Sequence, residues 1–522
     1  MSKNIRRAFC RIWRMLIINS SQKNALKIFQ PFLPIFVPIG VGSLLAALKA
    51  ENIDADYIDE QTEPDSLAKI QAFAAKMPKP YIFGFSVLTA AFKNALELSN
   101  KLRGLYPDCI IIFGGLHPTT MPDEVLAHKH IDYVVRGEGE QTLIELYRAL
   151  RSGGDTAQIP NLSFRRDGKI IHNPQQPAPE FNLPFPYQLF DTGHYDLGFI
   201  LSSRGCPYNC IFCSNRTTTG KRYRHKPAKD IADELQSLHD KYGRNYVLFL
   251  DDNLLVDKNR IYELLEEIKR RKLHEKMTFN FQARGDNVNP QLLSDLYQAG
   301  FRSVFFGLET ASETLMKTIK KGETVAQCAA AVRMAKEAGF HVSATFIFGL
   351  PGETFTDRMA AIKLSHELKL DMVRFNNATP YPGTELYSLA QQDGGLHVKG
   401  LYENFNSVGT FVENPFKPIP FSYIPPGVTE AELRRDLLYG YFSFYFSARR
   451  LRKIFTRPDQ GVGWFNAGES FWTLLKKIPA LLILAFMLKI KFFQLFHYTV
   501  IKKETRISLR HFMRVFEYLW HD

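Results

Sequence analysis

The sequence predicts an α/β chain. It opens with a Rossmann-like doubly wound parallel sheet, continues as a partial (β/α)6 barrel of the TIM type, and ends in a helical C-terminal extension. Three observations carry this. Short apolar runs alternate with amphipathic stretches through residues 12–150, and the alternation restarts near 197 and stops near 384; strands alternating with helices make a parallel sheet covered on both faces. A proline-rich stretch at 174–187 separates the two series. The length of 522 residues leaves room for two or three domains. With 45% hydrophobic and 23% charged residues the composition is globular, and six cysteines are too few for an extracellular disulfide framework.

Taken in order, "RMLIINS" (14–20) reads as a buried strand and Gly40–Ala50 as a helix. "ADYID" (55–59), "YIFGFS" (81–86), "CIIIFGG" (109–115) and "DYVVRG" (132–137) read as further strands, with helices near 91–103 and 140–150. Such sheets bind ligands at the carboxyl ends of their strands, where glycine lets a backbone approach a large cofactor. Gly84, Ser86, Gly114, Gly115, Gly137 and Gly139 sit at such ends. "NLSFRRDGKIIHN" (161–173) signals a hairpin around Asp167-Gly168. Barrel strands are expected at 197–203, 246–252, 277–284, 303–309, 342–349 and 372–380. Ile231, Leu235 and Leu238, then Ile261, Leu264, Leu265 and Ile268, recur at helical spacing between them. Residues 428–455 read as a helix with an aromatic stripe, and 470–500 as a basic apolar helix. The expected domains are therefore 12–155, a hairpin and linker over 156–195, the barrel over 196–390, and a helical region over 391–522.

The net charge of +13 is carried at the two ends. Residues 1–30 hold seven Lys/Arg and no acid, and residues 470–522 hold nine against three acids, so the body between them is neutral. A nucleic-acid-binding domain clusters charge on a folded face, so no nucleic-acid partner is expected. Basic ends suit an anionic membrane surface, and 470–500 has the composition of a helix lying in the interface, with packing against the barrel or a partner as its alternative. Ile478–Leu488 is too short for a clean membrane span, and the apolar run Met15–Ile18 is too short for the core of a secretory signal, so a cytoplasmic location is expected.

The strongest chemical signal is "RGCPYNCIFCSN". Cys206, Cys210 and Cys213 form C-x3-C-x2-C in a loop after the first barrel strand, where barrels place their chemistry. Thiolates hold iron–sulfur clusters, and three of them leave one iron of a cubane open to a ligand. The alternative is three buried or zinc-bound cysteines. Cys10, Cys109 and Cys328 are isolated, and Cys109 opens an apolar strand as a core residue would.

These residues resemble the radical S-adenosylmethionine (SAM) superfamily. The resemblance spans about 195–390 and implies a [4Fe-4S] cluster whose open iron chelates SAM. It places Phe212 near the adenine, Asp251 and Asp252 of "FLDDN" by the SAM amino group, Arg284 at the next strand end, and Glu309 and Ser312 of "GLETAS" at the fourth. "FIFGLPGET" supplies Gly349 and Glu353 to the adenine-binding segment, and "TPYPGTELY" (379–387) closes the series. Read singly, these acids are equally solvated loop acids or ion-pair partners; the set is specific through its order.

The first domain resembles the cobalamin-binding module placed before such barrels, through "FGFSVLTAAF" (83–92), "IIFGGLHPTTMPDEVL" (111–126) and "DYVVRGEGEQTLIEL" (132–146). The residues implied are Ser86, Gly114, Gly115, Gly137, Glu138, Gly139 and Glu140. The D-x-H-x-x-G string of modules that ligate cobalt through histidine is absent, and His117 reads as a loop histidine, so cobalamin is expected without a histidine lower ligand. The alternative is a Rossmann-like domain kept for docking.

The resemblance implies that an electron from a donor such as flavodoxin or ferredoxin cleaves SAM to a 5′-deoxyadenosyl radical. That radical abstracts hydrogen from an unactivated carbon, and methylcobalamin supplies the methyl group. The apolar ends suggest a hydrophobic, lipid-like or isoprenoid substrate. Radical cyclisation, ring contraction or carbon–carbon coupling without methyl transfer is the first alternative, and a non-enzymatic cobalamin or redox sensor the second.

Overall fold

The structure, a computed structural model, describes residues 14–22, 35–63, 65–76, 79–180, 182–407, 413–414, 416–446 and 486–502, with 505 and 507. Cys10, the continuation of the predicted 428–455 helix past 446, and the first half of the predicted basic helix lie outside them.

The first sheet has seven strands. β1 (Met15–Asn19), β2 (Ala55–Asp59), β3 (Ile82–Ser86), β4 (Ile110–Gly114) and β5 (Tyr133–Val135) run parallel in the order 2-1-3-4-5. Met15, Leu16, Ile17 and Ile18 are all buried, so β1 is covered on both faces, as an unbroken apolar run requires. The register sets Asn19, Ser86 and Gly114 side by side at the carboxyl ends. Strand order reverses between β1 and β3, and a ligand crevice opens at such a point.

β6 (Leu162–Arg166) and β7 (Lys169–His172) continue this sheet antiparallel beyond β5. The hairpin expected in the linker is thus part of the sheet. Asp167 and Gly168 both take positive φ, the two-residue turn that matches strand twist. The rest of the linker is no free tether. Phe185, Tyr187 and Phe190 are buried among Tyr195 and Phe199, with ring centroids 5.0–5.7 Å apart.

The second sheet has six parallel strands, each paired with the next: β8 (Phe199–Ile200), β9 (Tyr246–Phe249), β10 (Thr278–Ala283), β11 (Phe301–Glu309), β12 (His341–Phe348) and β13 (Met372–Asn377). β8 does not pair with β13, so the barrel is open. The helices Ala228–Tyr242 and Lys258–Arg270 bury the predicted Ile231, Leu235, Leu238, Ile261, Leu264, Leu265 and Ile268. The first barrel strand is shorter than expected, because Ser203–Arg204 leaves the sheet to pair antiparallel with Arg224–His225.

An open barrel has two edges with unpaired backbone groups. Both are capped by tyrosine hydroxyls. On β8, Tyr187 donates to the Phe199 carbonyl at 2.8 Å. On β13, Tyr445 accepts from Val373 N–H at 3.1 Å and Tyr441 from Phe375 N–H at 3.2 Å. Both belong to the helix Glu430–Tyr445, which carries the predicted aromatic stripe. Its buried Asp436 bonds Arg358 at 2.7 Å, tying it to the barrel helix Phe355–Glu367. A last described helix, 486–496, packs on it through Phe492 and Phe442. No helix among the described residues is long and apolar enough to cross a membrane.

Candidate active site

The cysteine loop starts at a forced turn. Gly205 has φ +86°, and a Cβ there would stand 2.2 Å from the Arg222 carbonyl. The loop is then held from both sides: Ile211 is buried, its N–H donates to Ile319 O at 3.1 Å, and its carbonyl accepts from Leu386 N–H at 3.0 Å. Cys213 N–H donates to Cys210 O at 3.3 Å. All three cysteines are partly exposed. Burial pushes the Cys210 thiol up, while Lys321 and then Arg284 pull it down; Cys213 is pushed up to about 11 by burial. The two buried cations offset part of the rise at Cys206 and Cys210, and burial still outweighs them. Among the described residues no three Cys, His, Asp or Glu side chains crowd one point as ligands of a single ion do. Thiolates on a multi-iron cluster each bind a different iron, and three partly exposed thiols on one loop have the donor chemistry for such a cluster.

At the ends of the neighbouring strands, Asp251 is fully buried and accepts from Ser202 Oγ at 2.9 Å and from Ser203 Oγ. Burial pushes its carboxyl up, and Arg260 and the two serines oppose this. Asp252 accepts from Asn215, two residues past Cys213. Arg284 forms a fork with Asp286, at 3.0 and 2.7 Å, and lies 3.6 Å over the Tyr208 ring. Tyr208 accepts from Asn287, which bonds Asn253. Phe212 packs against the core. These contacts bring the predicted Phe212, Asp251, Asp252 and Arg284 around the cysteine loop.

Glu309 ends β11 with φ +62°, a left-handed conformation uncommon for this residue type. One carboxylate oxygen accepts from Lys321 Nζ at 3.2 Å, and the other has no hydrogen-bond partner despite full burial. At the end of β13, the buried Asn377 likewise has an unpartnered side-chain oxygen. Orphaned buried acceptors at carboxyl ends fit a polar ligand such as SAM, whose ammonium and ribose hydroxyls are donors. Ser312 starts the short helix Glu313–Thr318. Glu353 faces protein: it accepts from the Gly349 N–H at 2.5 Å and lies 3.6 Å from Arg358. Its role here is to shape the Gly349 turn, which packs on Leu433 of the C-terminal helix.

In the first sheet, Ser20 and Thr89 are buried, and neither hydroxyl has a partner. Ser20 follows β1 and Thr89 follows β3, on the two sides of the crevice, so the residues present fit a hydrogen-bonding group there. Gly115, at φ +96°, serves the protein's own backbone: a Cβ would lie 2.9 Å from Val87 N and O. Gly137 N–H donates to Thr119 Oγ1 at 2.9 Å, and Gly139 precedes the helix Glu140–Ser152. The carboxylates of Glu138 and Glu140 are taken up by Arg204 of the barrel, at 2.6 and 2.7 Å; Arg224 also holds Glu138. His117 is no loop histidine. It is wholly buried in the short helix Leu116–Thr120, 4.1 Å from the Phe92 ring and 4.9 Å from Tyr402. Burial pushes its pKa down to about 3, so the ring is neutral.

The two carboxyl faces meet. A Cβ on Gly383, just past β13, would touch Thr120 after β4 and Thr217 after the cysteines, and one on Gly137 would lie 3.6 Å from Thr218 O. Lys321, Asn377 and Arg260 were not singled out by sequence. Lys321, in "KKG" at 320–322, is buried between Glu309 and Glu323.

Two sheets whose parallel strands face each other at their ligand ends, one with a three-cysteine loop, suit an enzyme with two cofactor sites. Family models agree: residues 200–365 match the radical SAM superfamily and residues 30–147 the B12 binding domain. An uncharacterized methyltransferase, PH0819, of Pyrococcus horikoshii is 33% identical over 362 residues, covering 68% of this chain and 78% of the relative. The anaerobic magnesium-protoporphyrin IX monomethyl ester cyclase of Cereibacter sphaeroides is 25% identical over 443 residues, 82% of this chain and 69% of that one. Among solved structures, the radical SAM enzyme OxsB with aqua-cobalamin and SAM bound aligns with a TM-score of 0.67 at 18% identity, covering 97% of this chain and 75% of OxsB. TsrM from Kitasatospora setae, with cobalamin and a [4Fe-4S] cluster, aligns at 0.61 and 22% identity, covering 74% of this chain and 79% of TsrM. The chain belongs to the cobalamin-dependent radical SAM enzymes, the family of methyltransferases and cyclases.

Proposed function

We propose that this enzyme methylates an unactivated carbon of a hydrophobic substrate. The observation that carries the reading is the meeting of the two ligand faces, with Gly137 and Thr120 of the first sheet against Thr217, Thr218 and Gly383 of the barrel. A substrate held there touches both cofactor sites at once, which methyl transfer needs and simple radical generation does not. When bound, the cluster and SAM supply a carbon-centred radical and cobalamin supplies a methyl group. Cys206, Cys210 and Cys213 would hold the cluster. Glu309, Asn377 and the Asp251 loop would hold SAM, and Ser20, Ser86 and Thr89 would line the cobalamin crevice. The chain's own part is to orient these groups and exclude water between the two faces.

The hydrophobic substrate, met at an anionic membrane surface on the cytoplasmic side, is part of the same reading. Support comes from helix 486–496 and the turn after it, where Phe486, Phe493, Phe496 and Ile501 are exposed beside Lys489. A one-electron donor of the flavodoxin or ferredoxin kind completes it. The second reading, ring closure without methyl transfer, is favoured by the similarity to the cyclase. Anaerobic protein reconstituted with iron, sulfide and cobalamin, then reduced with SAM and a lipid extract, separates them by mass spectrometry. S-adenosylhomocysteine together with 5′-deoxyadenosine supports methyl transfer; 5′-deoxyadenosine alone supports ring closure. SAM left intact by the reduced protein defeats both.

A further inference from the structure

Between the Gly137 loop and the loop beyond the cysteines lies a pocket of roughly 450 Å³. Its wall includes Thr217–Thr219, Gln175 and Gln176 beside Pro177 and Ala178. Four cations line it, Arg216, Lys221, Arg222 and Arg224, against one acid, Glu138. Arg224 is buried on Glu138, and Arg222 pairs with Glu180. Glu138 is already shared with Arg204 at 2.6 Å. Arg216 and Lys221 have no acidic partner among the described residues. The hydroxyls of Thr217, Thr218 and Thr219 donate to Ser214 O and Asn215 O, so the two uncompensated cations supply the complementarity to an anion, and an arginine fork suits an oxyanion.

We propose that this pocket seats the anionic head, a phosphate, phosphonate or carboxylate, of an amphipathic substrate. The inference rests on the methyl-transfer reading for what the substrate does, and it narrows the substrate class from hydrophobic to amphipathic acid. Position supports it. Arg216 is three residues past Cys213, and Gly137 is the second residue after β5, so the head would lie at the junction of the two ligand faces. The phosphodiester of the cobalamin nucleotide has the same chemistry. The pocket is beside β5, two strands away from β3 in the sheet order, whereas the orphaned hydroxyls Ser20 and Thr89 mark the crevice between β1 and β3. Gly137 and Glu138 of the pocket wall, which the resemblance gives to cobalamin, are engaged within the protein, Gly137 N–H on Thr119 and Glu138 on Arg204 and Arg224, and this together with the separation favours the substrate as the source.

The test uses cluster-reconstituted full-length protein, with and without cobalamin, and inorganic phosphate as the probe, followed by calorimetry. Phosphate is expected to bind both forms. The double variant Arg216→Gln, Lys221→Gln is expected to bind it at least tenfold more weakly while taking up cobalamin stoichiometrically by visible absorption. If cobalamin instead displaces phosphate from the wild type and the variant loses both, the anion site belongs to the cofactor and the substrate-head assignment falls. If wild type and variant bind phosphate equally, the anion site lies elsewhere, and if neither binds it there is none; either result overturns the proposal. Failure of the methyl-transfer reading would appear separately, as missing S-adenosylhomocysteine, and leaves phosphate binding untouched.

Discussion

Cys210 is the cysteine most influenced by cations: Lys321 and Arg284 pull its pKa down against burial. Replacing it removes one of the three loop sulfurs, and the other described cysteines, Cys109 and Cys328, are buried in the core. Cys210→Ala is expected to lose the cluster's visible absorption and most of its iron after reconstitution, and to cleave no SAM, while cobalamin uptake persists. Retained iron would show that the trio is not the ligand set. A second residue-scale expectation concerns Glu353, a buried carboxyl whose pKa is raised from 4.5 to about 8, mainly by burial and against the pull of Arg358. The folded protein therefore keeps a proton there that the unfolded chain releases. That stabilisation is fully present below pH 4.5 and is lost as pH rises through about 8. Glu353→Gln keeps an acceptor for the Gly349 N–H and cannot titrate. The stability of the wild type relative to this variant is expected to fall with rising pH between those limits, by at most about 1.4 kcal/mol per pH unit. Thermal unfolding of both proteins across pH 5–9 checks it, and parallel curves would contradict it.

At the scale of elements, the turn that launches the cysteine loop is the most constrained place in the barrel. Gly205→Ala would force a side chain into the left-handed region, at roughly 1–2 kcal/mol, and into contact with the Arg222 carbonyl. The loop must shift, so iron incorporation is expected to drop by half or more while the first domain's cobalamin binding holds. Metal analysis and visible spectra on one preparation check both, and full iron content would show that the loop tolerates a different path. The strands and helices were legible because period and apolar content agree, as in "MLIIN" and in the Ile261–Ile268 stripe. The cysteine spacing was equally legible, since three ligands in eight residues (206–213) need no tertiary information. What was hidden depends on contacts between distant segments. The tyrosines that cap the β8 and β13 edges come from the linker and the C-terminal helix, where they read as ordinary aromatic residues. Lys321 was not singled out because nothing local reveals that Glu309 and Glu323 bury it. Glu138 and Glu140 read as ligand contacts because their partner, Arg204, is more than sixty residues away.

At the scale of the whole molecule, one ion-pair network joins the two ligand faces. Arg204 bonds Glu138, Glu140 and Ser43, linking the barrel to the β5 loop and to the helix Ile39–Ala50. Buried charges of this kind fix an arrangement more than they add stability, because desolvation offsets most of the attraction. The C-terminal helix 486–496 is joined as firmly on one side: Met487, Lys491 and Leu495 are buried, and Lys491 reaches Glu413 at 3.4 Å. Deleting it would uncover that core, so point changes on its outer face are the cleaner probe. That face carries Phe486 and Phe493, each 58% exposed, with Lys489 between them, and 486–502 contains no acid. Aromatic rings beside lysines suit the headgroup layer, and each basic residue near an anionic surface adds about 1 kcal/mol. The full-length protein is expected to sediment with vesicles containing phosphatidylglycerol more than with phosphatidylcholine alone, and added salt is expected to weaken this. Phe486→Ser with Phe493→Ser is expected to cut the bound fraction about fivefold, with thermal stability and SAM cleavage unchanged. Equal binding by wild type and variant would remove the membrane role of this face. If the variant alters the elution volume in gel filtration and not vesicle binding, the face is covered by a second copy of the chain.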